Sequence, residues 1–336
     1  MAQSDLIQAK RAKNDEFYTQ YGDIQKEINA YLEYNPDVFR GKTVLLPCDD
    51  PEWSSFTKFF AQNFENFGLK KLISTSYAVE SKIYKGVYQI TMFEESAPHY
   101  DSKKTRINGK IFTLDHDKTG DGKIDVEDLE WKYLEGDGDF RSEEIKILRD
   151  ESDIIITNPP FSLFREFLAW IVEADKKFLI IGTMNAIKYK NVFPLFQNNK
   201  LWTGSRFNKR INGKNMTFFV PDDYDLSGTE VEINEVGKKL ISVSGTGWYT
   251  NLEHGKRLQP LSLMTMADNI KFSKHKAVRG KDYIEYENYD AIDVPFTDAI
   301  PKDYTGIMGV PISFIDKYCP EQFEIIWQAS GNTRAS

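Results

Sequence analysis

The sequence predicts a doubly wound α/β fold with an insertion and a smaller C-terminal region. Three observations predict it. The short apolar run Lys42–Pro47 and the strand Lys71–Ser76 bracket an amphipathic stretch, which gives the order strand, helix, strand. Parallel strands joined in that order need a right-handed crossover. The same order returns over Asp153–Gly182. At 336 residues the chain also lies near the upper limit of one hydrophobic core, so a second unit is expected.

Taken in order, a helix starts near Asp23, its expected N-cap, with Ile24, Ile28 and Leu32 on one face, and Pro36 ends it. Gly41 and Pro47 then bound a buried strand. A helix over about Glu52–Phe67 stops at Gly68, a good C-terminal signal, and the strand Lys71–Ser76 follows. Residues 81–135 read as an elaborated insertion. The pattern resumes with strand Asp153–Thr157, helix Ser162–Val172 and strand Phe178–Gly182. Beyond Pro221 the periodicity is mixed, which places a domain change near residue 220 and divides the chain into 1–220 and 221–336.

Apolar residues at 40% and charged residues at 28% describe a globular chain and exclude disorder, collagen and coiled coil. No apolar run approaches the ~20 residues of a membrane span, and the start MAQSDLIQAKRAKN lacks a signal-peptide core. The expectation is a soluble, cytoplasmic protein. Two cysteines, Cys48 and Cys319, make no disulfide framework, which fits a reducing compartment. The formal charge of −8 argues mildly against nucleic acid, but the charge is uneven. Asp115–Asp153 is strongly acidic, whereas nine basic residues and no acid lie between Lys176 and Pro221. A second basic cluster spans Lys256–Lys281. One reading is a pair of solvated faces. The other is a groove for an anionic polymer, with Tyr189, Trp202 and Phe207 interleaved for stacking. The candidate contacts are Lys188, Lys190, Trp202, Arg206, Phe207, Lys209, Arg210, Arg257 and Lys274.

The most informative stretch is DIIITNPPF, Asp153–Phe161. A strand runs straight into Asn158-Pro159-Pro160-Phe161, and an amphipathic helix begins at Ser162. Ligands of open α/β sheets bind outside the carboxyl ends of the strands, where this tetrapeptide falls. The prolines fix φ and remove two backbone donors, leaving carbonyls beside the Asn158 side-chain oxygen as an acceptor cluster. Phe161 adds a flat face. That set suits a planar ring with an exocyclic amino group, whose nitrogen becomes nucleophilic once both protons are accepted.

A strand, NPPF and a helix resemble the catalytic motif of S-adenosylmethionine-dependent amino-group methyltransferases. The chain is similar in particular to the EcoRI adenine methyltransferase family. The resemblance runs through Asn14–Gln20, VLLPCDDP (Val44–Pro51), GDGDFRS (Gly136–Ser142), NPPFSLFREF (Asn158–Phe167), FLIIGTMNA (Phe178–Ala186) and GVPISFIDKYCPEQFEI (Gly309–Ile325), nearly the whole chain. It implies a Rossmann-like methyltransferase sheet with a C-terminal target-recognition region. It also implies catalytic roles for Asn158, Pro159, Pro160 and Phe161, with Asn158 and the Pro159 carbonyl holding the adenine amino group and Phe161 stacking on the ring. Phe17, Tyr18 and Thr19 would pack around the methionine part of the cofactor, and Asp139 and Phe140 would meet its adenine. Pro47, Asp49 and Asp50 would lie near its amino acid end. The usual glycine-rich turn after the first strand is here Pro47-Cys48-Asp49-Asp50-Pro51, a departure the EcoRI family shares.

A second constellation, Asp117–Asp128, follows a calcium-loop template. Oxygen donors fall at Asp117, Thr119, Asp121, Asp125 and Asp128, with the Lys123 carbonyl between them and Gly122 at the sharp turn. An acidic turn is the alternative. The expected function is methylation of a flipped-out adenine at N6 in double-stranded DNA, with S-adenosylmethionine as cofactor and structural calcium as an addition. The partners expected are duplex DNA, no membrane, and a restriction endonuclease acting on the same site. The protein is expected as a monomer. Methylation of RNA or of a protein glutamine, and a non-catalytic calcium-dependent binding protein, are the alternatives.

Overall fold

The computed structural model describes residues 18–49, 54–78, 100–207, 216–220, 231–234, 237–243 and 245–329. The described strands are β1 (Tyr18–Thr19), β2 (Thr43–Leu46), β3 (Lys71–Ser76), β4 (Lys110–Leu114), β5 (Glu130–Tyr133), β6 (Ile154–Thr157) and β7 (Lys177–Thr183). They continue with β8 (Trp202–Thr203), β9 (Thr217–Phe219), β10 (Val231–Ile233), β11 (Lys239–Ser242), β12 (Thr246–Thr250), β13 (Ala291–Asp293) and β14 (Ile307–Gly309). The longer helices are α1 (Tyr21–Tyr34), α2 (Ser55–Gln62), α3 (Glu143–Glu151), α4 (Phe164–Glu173) and α5 (Met266–Phe272).

The chain divides into two compact units, residues 1–192 with 203–254, and residues 193–202 with 255–336. The first unit is built on an eight-stranded mixed sheet in the order β5-β4-β3-β2-β6-β7-β12-β8. Its centre is parallel: β2 pairs with β3 and β6, and β6 pairs with β7. Central parallel strands are covered on both faces, and this is why TVLL and IIIT are buried at every position. The insertion enlarges the sheet, because β4 pairs antiparallel with β3 and β5 with β4. A second, antiparallel sheet has the order β1-β9-β11-β10.

The division near residue 220 is corrected by these pairings. β12 runs antiparallel to β7 from Thr246 against Thr183 to Thr250 against Leu179, and β9 and β11 pair within the sheet that contains β1. Residues after 220 therefore complete the first unit. Short strands of mixed periodicity announce that they are strands, not which partner they take.

Packing explains the helix limits. Ile24, Ile28 and Tyr31 of α1 are fully buried in a core with Phe39, Phe56, Phe59 and Phe60. Burial of each such side chain contributes roughly 2 kcal/mol. Asp23 lies inside the first turn of α1 rather than at its cap; Gln20 holds that position with extended backbone. The helix expected through Phe67 ends at Gln62 and is followed by a separate turn Phe64–Phe67, closed by Gly68 at φ 61°. Ser54 caps α2 by accepting from Phe56 N at 3.1 Å. Helix α3, which the sequence reading passed over, is capped by Ser142.

The second unit has its own core of Ile292, Val294, Ile300, Phe314 and Tyr318. Its two strands, β13 and β14, are parallel. Arg257 lies over the Trp202 ring at 3.8 Å from the centroid and donates to Asn199 Oδ1 at 2.9 Å.

Candidate active site

Strands β2, β3, β6 and β7 run parallel, so their carboxyl ends share one edge, and the segments leaving that edge carry the candidate residues. After β2 the chain turns sharply through Pro47 and Cys48. Cys48 takes φ 69°, the left-handed conformation. The turn needs the geometry a glycine would give, and a cysteine supplies it at a cost of roughly 1 kcal/mol. This accounts for the missing glycine in Pro47–Pro51.

The turn delivers Asp49, only 6% exposed, into a ring of hydroxyls. Ser54 Oγ donates to Asp49 Oδ1 at 2.7 Å, and Thr157 Oγ1 lies 2.6 Å from Asp49 Oδ2. The same Thr157 hydroxyl is 2.6 Å from the Pro47 carbonyl oxygen, and Ser74 Oγ donates to the Asp49 carbonyl at 2.5 Å. Thr57 and Ser74 hydroxyls meet at 2.9 Å, and Asp49 N donates to Thr75 O at 2.9 Å. Asp49 thus ties together the ends of β2, β3 and β6, reaching β6 through its carboxylate and β3 through its backbone. Nothing in the residue pattern singles out Thr157, Ser54 or Ser74; only the spatial convergence of three strand ends does.

Thr157 is the last residue of β6, so the lock reaches directly into Asn158-Pro159-Pro160-Phe161. Asn158 is half-buried. The Pro160 carbonyl accepts from Leu163 N at 2.9 Å, whereas the Pro159 carbonyl accepts nothing among the described residues. Phe161 is 6% exposed and meets Phe218 of β9 edge to face at 6.2 Å. Its ring is partly engaged in packing. Phe218 is the register partner of Thr19, so β9 brings the segment around Thr19 and the NPPF turn to the same ring. Tyr18 is half-buried. Phe17 and Asp50 lie outside the described residues.

Asp139 reaches the edge through Gly136–Phe140. Gly138 has φ +86°, and a Cβ there would strike the Ser76 carbonyl oxygen, so the segment lies flat against the end of β3. Ala78 N donates to Asp137 O at 2.8 Å. Arg141 grips Asp139 with both sides of its fork, at 2.9 Å from Oδ1 and 2.6 Å from Oδ2, and its other amino group is 3.3 Å from Glu166 Oε2. Burial would raise the Asp139 carboxyl, but the Arg141 hydrogen bonds and charge, with the Tyr77 phenol, hold it below the usual range. Burial pushes the Tyr77 phenol up, as do its neighbours Cys48 and Asp139. Tyr77, a neighbour of Asp139 that sequence reasoning missed, follows β3 immediately, whereas Asp49 lies three residues beyond β2. Phe140 is 1% exposed and packs on Phe167 and Trp170 at 5.1 and 5.7 Å, so it serves the core rather than offering an open ring face.

The basic and aromatic candidates separate. Lys188 and Lys190 are exposed, as is Lys274, which pairs with Asp298 at 2.6 Å. Trp202 and Phe207 are 7% and 1% exposed and pack in the interior. Arg206 is half-buried; its backbone N–H donates to Glu27 Oε2 at 2.9 Å, beside the Ser205 N–H on Oε1 at 2.7 Å. Lys209 and Arg210 lie outside the described residues.

The candidate calcium loop, Asp117–Asp128, is held together by its own hydrogen bonds. Asp117 accepts from Gly120 N and Gly122 N at 2.6 and 2.8 Å, Asp121 from Lys123 N at 2.9 Å, and Asp125 from Glu127 N at 2.9 Å. Asp128 accepts from Lys118, Thr119 and Asp125 N–H groups at 2.9, 2.8 and 3.0 Å. Thr119 turns its hydroxyl back to Asp117 at 3.4 Å. The carboxylates cap the loop's own backbone, and no group of three or more metal-binding side chains gathers among the described residues.

A locked carboxylate, an NPPF turn and a second carboxylate on an arginine fork gather at the parallel strand ends of an α/β fold. A family model described as adenine-specific methyltransferase EcoRI matches residues 5–336, and the chain belongs to that family. The Type II methyltransferase M.EcoRI of Escherichia coli is 42% identical over 321 residues, covering 96% of this chain and 88% of that protein. The Type II methyltransferase M.MpnI of Mycoplasma pneumoniae is 34% identical over 321 residues, covering 95% and 83%. No solved structure matches this chain.

Proposed function

We propose that the chain is a site-specific DNA methyltransferase that methylates N6 of an adenine swung out of duplex DNA, on a Rossmann-like sheet. The observation that carries the reading is the NPPF turn at the end of β6, fastened through Thr157 to the Asp49 lock. S-adenosylmethionine, when bound, supplies an electrophilic methyl group on sulfur. The residues present fit such a group: the Thr19 and Thr75 hydroxyls are buried and make no hydrogen bond among the described residues. Asp49 and Asp139 add carboxylates for its ammonium and adenine amino groups. The Gly138 segment, which carries Asp139, lies flat against the end of β3.

In this reading the Asn158 side chain and the Pro159 carbonyl accept both hydrogens of the adenine amino group. The nitrogen lone pair then leaves conjugation and points at the methyl carbon, so the residues act by orientation and water exclusion. Phe161 borders the base, with Phe218 fixing its plane. Tyr18 and Thr19 border the cofactor. The mobile proton leaves nitrogen to solvent after transfer, without a strong base.

Residues 193–202 and 255–329, with their exposed lysines, would contribute to duplex recognition. One copy suffices for one flipped base, and a companion restriction endonuclease blocked by the same mark belongs to the proposal. None of the described helices is long and apolar enough to cross a membrane. Nucleoside mass spectrometry of unmethylated duplex DNA, incubated with protein and S-adenosylmethionine, tests the reading. N6-methyladenine is the expected product. A methyl group found only in RNA or on protein glutamine would overturn it.

A further inference from the structure

The second unit carries an anchored basic loop that the active-site reading does not use. Between Ile270 and Lys281 there are five lysines and arginines and no Asp or Glu. The segment is closed on itself: Ser273 N donates to Asn269 O at 3.0 Å and Gly280 N to Ile270 O at 2.7 Å, so the chain leaves α5 and returns to it. Its inner face is anchored. Asn269, Ser273 and Val278 are 0%, 3% and 4% exposed, and Asn269 Nδ2 donates to Ala299 O at 3.2 Å. His275 stacks on Phe296 at 3.7 Å with an interplanar angle of 4° and meets Asp298 Oδ1 at 2.8 Å.

The outer face is of opposite character. Lys271, Lys274, Lys276, Arg279 and Lys281 are all exposed. Among them stands Phe272 at the last turn of α5, 61% exposed, with Lys271 Nζ 5.0 Å from its ring centroid. A ring left in water adds almost nothing to folding, and a closed, anchored loop has no freedom to bury it. Cations around a protruding apolar side chain on a stiff support match a polyanion that can also receive a wedge. In duplex DNA the phosphates flank base steps that such wedges enter.

We propose that residues 270–281 form a duplex-DNA contact in which Phe272 wedges against the base pairs and Lys271, Lys276 and Arg279 hold the flanking phosphates. The inference rests on the reading of the protein as a DNA methyltransferase, and Phe272 acts in it as a positioning residue. Lys274 is partly neutralised by Asp298 and contributes less.

The test uses the full chain and a duplex containing the site that the wild-type protein methylates. Two variants are compared with wild type: Phe272→Ala, and Lys271→Ala with Lys276→Ala and Arg279→Ala. Duplex affinity is measured by fluorescence anisotropy at several salt concentrations, alongside S-adenosylmethionine affinity and thermal midpoint. The expected result for Phe272→Ala is a loss of about ten-fold in duplex affinity. The triple variant should reduce the slope of log affinity against log salt by about 0.9 per lost phosphate contact. Cofactor affinity and thermal midpoint should stay at wild-type values, because every changed side chain is exposed. A wild-type protein that makes no methyladenine overturns the methyltransferase reading itself. Methylation by wild type with both variants binding duplex normally overturns the wedge alone. An equal loss on single-stranded RNA overturns the assignment to duplex.

Discussion

Thr157 Oγ1 lies 2.6 Å from Asp49 Oδ2 and joins, through a single hydroxyl, the strand that carries the candidate catalytic turn to the strand that carries the buried carboxylate. With Ser54 on the other oxygen, the Asp49 side chain is held from two directions. Thr157→Val keeps the shape and deletes the hydroxyl. It should cost about 1–3 kcal/mol, because a buried carboxylate loses a donor. Urea denaturation measures this, and an unchanged midpoint would show that the lock carries no stability. Cofactor affinity should fall with it, by isothermal calorimetry.

Asn158 stands one residue beyond that lock. Asn158→Ala should lower methyl transfer by roughly 10²-fold or more, since an acceptor for the developing charge on nitrogen is lost. S-adenosylmethionine binding should remain within about two-fold of wild type, less than about 0.5 kcal/mol. Equal loss of both would move Asn158 from the base to the cofactor.

Cys48 holds a left-handed backbone at φ 69°. Cys48→Gly should be neutral or slightly stabilising, whereas Cys48→Val should lose roughly 1–2 kcal/mol, because a β-branched side chain fits that conformation worst. A valine variant as stable as wild type would show that the turn relaxes out of it.

Asp128 accepts three backbone N–H groups, from Thr119, Asp125 and Lys118, and these hold its carboxyl down at about 2. A depressed folded value means the carboxylate stabilises the fold above the unfolded value of about 3.9, and this contribution fades as pH falls toward 2. The stability difference between wild type and Asp128→Asn should therefore be full at pH 6 and smaller at pH 3. The two denaturation midpoints at each pH give the answer; a difference constant with pH would contradict the assignment.

The same loop bears on metal. Its aspartates are committed to backbone N–H groups of the loop itself. A chelator should leave both thermal midpoint and methyl transfer unchanged, and a calcium-dependent rise in midpoint would reverse the reading of residues 117–128.

Local chemistry made the active-site edge legible. The apolar runs of β2, β6 and β7 stand out because strands buried on both faces are filled mostly by apolar side chains. The NPPF turn stands out because paired prolines after a strand have few other uses. Gly68 and Pro36 end helices for reasons fixed within a few residues of themselves.

Tertiary structure decided what depends on partners distant in sequence. The return of β12 to β7 and of β9 to β1 depends on pairing between segments tens to hundreds of residues apart, and that pairing moved the boundary between units. The same reason turned Phe207 and Trp202 from candidate base contacts into packed side chains: a lone aromatic in a basic stretch does not declare which way it faces. In the 117–128 loop it set the aspartates on the loop's own N–H groups, since spacing supplies oxygens but only folding decides which N–H groups reach them. The sequence by itself determined the strand-ending turn and its edge of the sheet. The hydroxyl lock on Asp49 arises only where distant segments meet, because Thr157 lies 108 residues away along the chain.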